Sequence, residues 1–311
     1  MADNTVSEPA SESAATRCGF VALIGAPNAG KSTLVNRLVG TKVSIVSHKV
    51  QTTRSMVRGI AMLGASQIIF VDTPGIFKPK RRLDRAMVDT AWGGARDADI
   101  VALLIDAAKG IDEEAEALLS RLGDVHHPKV LLLNKIDTVK RDSLLALADI
   151  ASKAVAFERI FMISALKGDG LDDFMAWLAG AVQPGPFLYP EDEVSDIPLR
   201  QLAAEITREK LFERLHQELP YQATVETEAW TDQKNGSARV EQTIYVIRES
   251  QKKIVIGKAG ATIKAISMAA RKEISEIAEK PVHLFLFVKV RENWADDPER
   301  YRAMGIEFPK G

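Results

Sequence analysis

The sequence predicts a two-domain protein. An open α/β sheet, mostly parallel with one antiparallel strand, occupies residues 18–182, and a smaller α+β domain occupies residues 198–295. Three observations carry this reading. First, apolar strand-like runs at 20–24, 67–71, 100–105, 130–133 and 160–163 alternate with amphipathic helical stretches, and near-continuous apolar runs suit strands covered on both faces. Second, Gly25-Ala26-Pro27-Asn28-Ala29-Gly30-Lys31-Ser32 lies between the first run and a helix-compatible stretch beginning at Thr33, the context that a phosphate-binding loop requires. Third, Gln183-Pro184-Gly185-Pro186 ends the helical pattern and leads into an acidic, proline-containing segment, which marks a domain boundary.

Size and composition set the frame. A chain of 311 residues suits two domains. Residues 1–17 lack periodicity and apolar content and are expected to form a flexible tail; 183–197 is expected as a linker and 296–311 as a C-terminal tail. Cys18 is the only cysteine, which excludes an intramolecular disulfide and a cysteine-based metal cluster. No apolar run approaches the length of a membrane span and the N-terminus lacks the basic-then-apolar order of a secretory signal, so a cytoplasmic location is expected. The formal net charge of -1 does not decide for or against a polyanionic partner, because a balanced total can hide a local patch.

In the phosphate loop, glycines let backbone N–H groups turn toward phosphate oxygens and the start of the following helix adds partial positive charge. Lys31 is placed to reach the terminal phosphates and the Ser32 hydroxyl to ligand Mg²⁺. The next loop contains Gln51-Thr52-Thr53-Arg54; a threonine hydroxyl there could hold Mg²⁺ only while the terminal phosphate is present, which makes the loop a candidate switch. Thr52 and Thr53 are equally placed for that role. Two strand-like runs between positions 56 and 71 are separated only by Leu63-Gly64-Ala65-Ser66, too short for a crossover, so they are expected to form an antiparallel hairpin. Asp72-Thr73-Pro74-Gly75 ends the second of them, with Asp72 placed for Mg²⁺ and the Gly75 N–H for a terminal phosphate.

Asn134-Lys135-Ile136-Asp137 follows the strand at 130–133. The Asp137 carboxylate can accept from the ring N–H and exocyclic amine of guanine together, a donor pair that adenine lacks. Lys135 can lie along the base and Asn134 can tie the loops together. Ser164-Ala165-Leu166, after the strand at 160–163, is expected to present the Ala165 N–H to the guanine oxygen. His126, His127 and His48 have no metal-like spacing and receive no role.

Beyond the linker, Ile206, Leu211, Phe212 and Leu215 fall at helical spacing in 205–219. Alternating runs at 224–230 and 238–247 flank Asn235-Gly236, a hairpin signal. A short apolar helix then leads into Gly257-Lys258-Ala259-Gly260 and a second helix to about position 278, with a strand at 282–290. The two glycines would bring backbone N–H groups and Lys258 against single-strand phosphates, flanked by Lys253 and Lys264. Arg248, Lys252, Arg271 and Lys272 extend the basic track. Ile256, Ile263 and Ile266 fit either the floor of a base-binding groove or the core.

The four nucleotide motifs, in this order at strand ends, resemble the Era family of translation-factor-related GTPases, and the second domain resembles a KH RNA-binding domain of the prokaryotic type. The resemblance implies a P-loop GTPase domain followed by a KH domain, with GTP and Mg²⁺ as cofactors. It further implies slow intrinsic hydrolysis, binding to the 3′ end of small-subunit ribosomal RNA, and assistance in assembling the small ribosomal subunit from its pre-ribosomal particle. Ile76 stands where Ras-like GTPases carry a water-orienting glutamine, so catalysis must draw on other groups. In related GTPases an asparagine at the position of Asn28 helps to hold K⁺ against the phosphates; a simple turn role beside Pro27 is the alternative. The candidate catalytic set is Asn28, Lys31, Thr52, Thr53 and Gly75. An RNA-binding assembly module with a mainly structural nucleotide site is the competing reading. Peripheral association with the inner membrane is a third, although the sequence offers no amphipathic anchor. No obligate protein partner is inferred.

Overall fold

The computed structural model describes residues 15–50, 52–292, 294 and 297–308. Most of the expected N-terminal tail (1–14), Gln51 of the switch motif, and residues 309–311 lie outside the described residues.

The first domain runs β1 (Arg17–Gly25), α1 (Lys31–Val39), β2 (Val57–Leu63), β3 (Ser66–Asp72), α2 (Arg82–Asp97), β4 (Ile100–Asp106), α3 (Glu113–Leu122), β5 (Lys129–Asn134), α4 (Arg141–Ala154), β6 (Arg159–Ile163) and α5 (Leu171–Ala181). Its six strands lie in the order β2-β3-β1-β4-β5-β6. Only β2 and β3 pair antiparallel, across the Gly64-Ala65 turn that the sequence marks. Every residue of β3 and β4 is buried, as expected of strands covered on both faces. One layer packs Leu34, Leu171 and Phe174 from α1 and α5 against the sheet; the other packs Trp92, Leu118 and Leu144 from α2, α3 and α4. The strand order reverses beside β1, and the carboxyl ends there open the crevice in which such sheets bind ligands.

The connecting segment 183–197 is fixed along the edge of the sheet. The Ile60 N–H donates to Val194 O at 2.9 Å and Arg58 pairs with Asp196 at 2.7 Å, so the exposed edge of β2 is covered.

The second domain comprises α6 (Leu199–Arg214), β7 (Ala223–Asp232), β8 (Ala238–Val246), α7 (Glu249–Ile256), α8 (Ala261–Ile277), β9 (Val282–Val290) and α9 (Pro298–Ala303). The sheet order is β7-β8-β9, with β7–β8 antiparallel and β8–β9 parallel. Helix α6 begins earlier than the apolar spacing suggested, directly after Pro198, because Leu202 and Ala203 also pack on the sheet. The segment expected as a C-terminal tail carries a short helix, α9. In α9, Tyr301 is fully buried, and with Ile306 it packs against Ala86 and Met87 of α2; Arg300 pairs with Glu226 of β7. This segment therefore touches both domains. Among the described residues, no helix is long and apolar enough to cross a membrane.

Candidate functional site

The phosphate loop closes where β1 hands over to α1. Gly30 has φ +105, and a Cβ there would stand 2.3 Å from Asn134 Nδ2, so the position admits only glycine. Lys31 opens α1 with its side chain buried; its Nζ donates to Gly25 O at 2.9 Å and Ala26 O at 3.1 Å. Burial pulls its pKa from 10.5 down to about 8, opposed by the Asp72 charge. A phosphate arriving over the loop would supply the counter-charge that this ammonium lacks.

Behind it lies a cluster of oxygens. Ser32 Oγ donates to Asp72 Oδ2 at 2.7 Å, and Thr53 Oγ1 stands 2.9 Å from Ser32 Oγ. Thr52 is turned away and donates to Lys49 O at 2.8 Å. Asp72 is fully buried and its Oδ1 has no hydrogen-bond partner among the described residues. Burial raises its pKa, opposed by hydrogen bonds from Ser32 and Ser44 and by the charge of Lys31. A buried carboxylate with an unpartnered oxygen beside two hydroxyls suits a hard, oxygen-seeking cation. Among the described residues no group of three or more His, Cys, Asp or Glu could hold a metal by itself. Mg²⁺, which takes few protein carboxylates and fills its shell with water and phosphate, fits this set.

A cleft of about 780 Å³ extends from the loop to the ends of β5 and β6. Pro27, Asn28, Gly30, Lys31, Ser32, Thr33, Thr52, Thr53, Gly75, Asn134, Lys135, Asp137, Ser164, Ala165 and Leu166 line it. Gly25, Ala26, Ala29, Asp72, Thr73 and Pro74 are not part of its wall. Thr73 is fully buried and its hydroxyl donates to Leu23 O at 2.7 Å, locking the end of β3 to β1. At the base end, Asn134 Nδ2 donates to Ala29 O at 2.8 Å, tying the base loop to the phosphate loop as expected. Its Oδ1 accepts from the Ala165 N–H at 3.0 Å. That N–H is therefore engaged with Asn134 in this conformation rather than turned to the cleft. Ser164 Oγ donates to Asp137 Oδ1 at 2.7 Å and fixes the carboxylate, while Lys135 pairs with Asp106 at 2.6 Å. Asn28 adopts φ +63, the turn conformation, and also donates from Nδ2 to His48 O at 2.9 Å. Ile76 is buried in the core, with no polar group to offer a water.

The cleft wall contains residues that sequence reasoning missed, notably Ile45, Val46, Ser47 and Lys49 of the switch loop and Phe212 and Glu213 of α6. The second domain thus reaches the nucleotide cleft. Lys49 Nζ donates to the carbonyls of Phe212 and Leu215. Arg208 Nη2 donates to Thr52 O at 2.6 Å. Arg54, buried between the rings of Phe212 and Trp294, donates to Ala223 O at 2.9 Å and Pro220 O at 3.2 Å. None of these contacts has a local signal, since each joins positions far apart in the chain.

The second candidate surface is the turn between α7 and α8. Gly257, Ala259 and Gly260 all have positive φ, at +75, +50 and +77. A Cβ at Gly257 would stand 2.2 Å from Thr262 Oγ1, so the turn cannot close with a larger residue there. Lys253, Lys258, Ala259 and Lys264 are exposed, and Ile256 and Ile263 are half-buried beside them. Ile266 belongs to the core, which removes it from the candidate groove floor.

A family model described as 50S ribosome-binding GTPase matches residues 20–135, and one described as KH domain matches residues 218–295. The chain is 68% identical over 307 residues to GTPase Era of Rhizobium meliloti, covering 99% of this chain and 98% of that protein. It is 68% identical over 298 residues to GTPase Era of Brucella suis, covering 96% of each. Among solved structures it is similar to Era in complex with MgGDPNP and nucleotides 1506–1542 of 16S ribosomal RNA, with a TM-score of 0.88 and 38% identity over 93% of this chain and 99% of that one. With the four nucleotide motifs gathered at one crevice and a KH domain behind them, the chain belongs to the Era family of GTPases.

Proposed function

We propose that this GTPase is a nucleotide-controlled RNA-binding switch that grips the 3′ end of small-subunit ribosomal RNA and assists assembly of the small subunit. The observation that carries the reading is the position of one loop. Its Thr53 lies beside Ser32 at the metal site, and its Lys49, Thr52 and Arg54 are hydrogen-bonded to the KH domain. GTP with Mg²⁺ would draw Thr53 onto the metal. That would change how the loop seats against α6, and with it the KH domain and its Gly257–Gly260 turn. The RNA assignment draws on the solved Era complex, which holds a 16S ribosomal RNA fragment.

The site roles follow the same logic. Lys31 and the Gly75 N–H serve the terminal phosphate, Ser32, Thr53 and Asp72 the metal, and Asp137 the guanine edge. Thr53 is preferred over Thr52 because of its hydroxyl's position beside Ser32. Asn28 is the residue that would hold K⁺ near the phosphates; hydrolysis at equal rates in K⁺ and Na⁺ at equal ionic strength removes that role. Crosslinking of the protein to total cellular RNA, with and without GTP, tests the whole: enrichment of the small-subunit 3′ end with GTP is expected, and fragments unrelated to that RNA overturn it. The buried Ile76 favours one alternative, an assembly module with a mainly structural nucleotide site. A Lys31→Ala variant that still matures ribosomes would support that alternative.

A further inference from the structure

Ser44 carries no motif, yet it is buried and its Oγ donates to Asp72 Oδ2 at 2.7 Å, on the same oxygen that Ser32 holds. Its backbone is gripped from within the first domain by Asn36 of α1. Asn36 Oδ1 accepts from the Val43 and Ser44 N–H groups, both at 2.9 Å, and Asn36 Nδ2 donates to Ser44 O at 2.7 Å. From the other side it is bracketed by one carboxylate of the KH domain. Glu209 of α6 accepts from the Val46 N–H at 2.8 Å through one oxygen and from Lys42 Nζ at 2.6 Å through the other. Ser44 lies midway between those two attachment points. Lys42 also pairs with Glu273 of α8, the helix that begins at the Gly257–Gly260 turn, and Lys210 joins Glu209 to Glu273.

We propose that Ser44 is a positioning residue for the metal-site carboxylate of Asp72, and that Glu209 makes this hydrogen bond depend on the seating of the KH domain. A carboxylate held by Ser32 and Ser44 on one oxygen is fixed in rotation beside the candidate metal ligands, and its other oxygen, Oδ1, has no hydrogen-bond partner among the described residues. Removing a residue that orients a ligating carboxylate typically lowers metal affinity by about 10–100-fold. When the KH domain shifts, Glu209 releases Lys42 and Val46, and the segment carrying Ser44 relaxes away from Asp72. This rests on the coupling proposed above and names the groups that transmit it.

The test is release of a fluorescent GDP analogue from the full-length chain as Mg²⁺ is varied, without RNA. Ser44→Ala is expected to raise the Mg²⁺ concentration needed for half-maximal slowing by about tenfold. Release in EDTA stays unchanged, because the nucleotide's own contacts remain, and Ser44→Thr restores the midpoint by returning the hydroxyl. Glu209→Ala and Lys42→Met shift the midpoint in the same direction, and neither adds to Ser44→Ala in the double variant. A midpoint unmoved by Ser44→Ala overturns the positioning role. Shifts that add independently, or Glu209 and Lys42 variants with no effect, overturn the link to the KH domain. Because no RNA is present, failure of nucleotide-dependent RNA binding would appear in a separate measurement.

Discussion

Replacing Arg208 by methionine isolates the contact between the KH domain and the switch loop. Arg208 is 1% exposed, and its Nη2 donates to Thr52 O at 2.6 Å and to Glu205, which also accepts from Nε at 2.9 Å. Methionine keeps the apolar packing against Phe212 and removes the donor. A hydrogen bond from a charged group contributes about 1.5–3 kcal/mol. Glu205 is partly exposed and rehydrates, so most of the loss falls on the loop. Docking of the loop should weaken by about 2 kcal/mol, roughly thirtyfold in the docked-to-free ratio. Amide hydrogen exchange followed by mass spectrometry reads this directly. Protection across residues 52–55 should drop by that factor, with β4 unchanged as the internal reference. Unchanged exchange in the loop would refute the argument that α6 restrains it.

Four further outcomes follow from the geometry. Lys31 must be charged to hold a phosphate, and burial brings its pKa down to about 8; isothermal titration should therefore find GDP bound about tenfold more weakly at pH 9 than at pH 7, and a flat profile contradicts it. The same group has a stability signature in the nucleotide-free chain: the unfolded state keeps the proton up to 10.5 and the folded state only to about 8, so its contribution to stability rises with pH between those values. Asp137→Asn turns one of the two oxygens that accept from guanine into a donor and should lower GTP affinity by about a thousandfold while favouring a xanthine nucleotide, measured by competition. Gly257→Ala drives a Cβ into Thr262 at φ +75; filter binding should show RNA affinity reduced at least about tenfold with GTP affinity unchanged.

The parts legible in the sequence were those written locally. The phosphate loop, Asp72-Thr73-Pro74-Gly75, Asn134-Lys135-Ile136-Asp137 and the Gly257–Gly260 turn each join an apolar strand or helix to residues whose spacing is set by one turn of chain. The structure brings the first three together at one crevice. What could not be read was tertiary. Thr52 and Thr53 are adjacent and chemically alike, and only the folded loop turns one hydroxyl to Ser32 and the other to Lys49. The Ala165 N–H was assigned from the order of motifs, but its partner depends on where Asn134 points. Glu209 and Arg208 read as ordinary charges on an amphipathic helix, yet their partners lie more than 150 residues away. Nothing local in residues 296–311 names the surface on which the C-terminal segment packs. Tyr301 and Ile306 find their apolar surface on α2, in the first domain and distant in sequence.

The central claim is that nucleotide state and RNA binding are one equilibrium. It is tested most directly by the affinity of the full-length chain for an oligonucleotide carrying the 3′ end of small-subunit ribosomal RNA, measured with a non-hydrolysable GTP analogue, with GDP and with no nucleotide. The account predicts tightest binding with the analogue and, by linkage, a matching gain in analogue affinity when the RNA is present. The same affinity in all three states would contradict it.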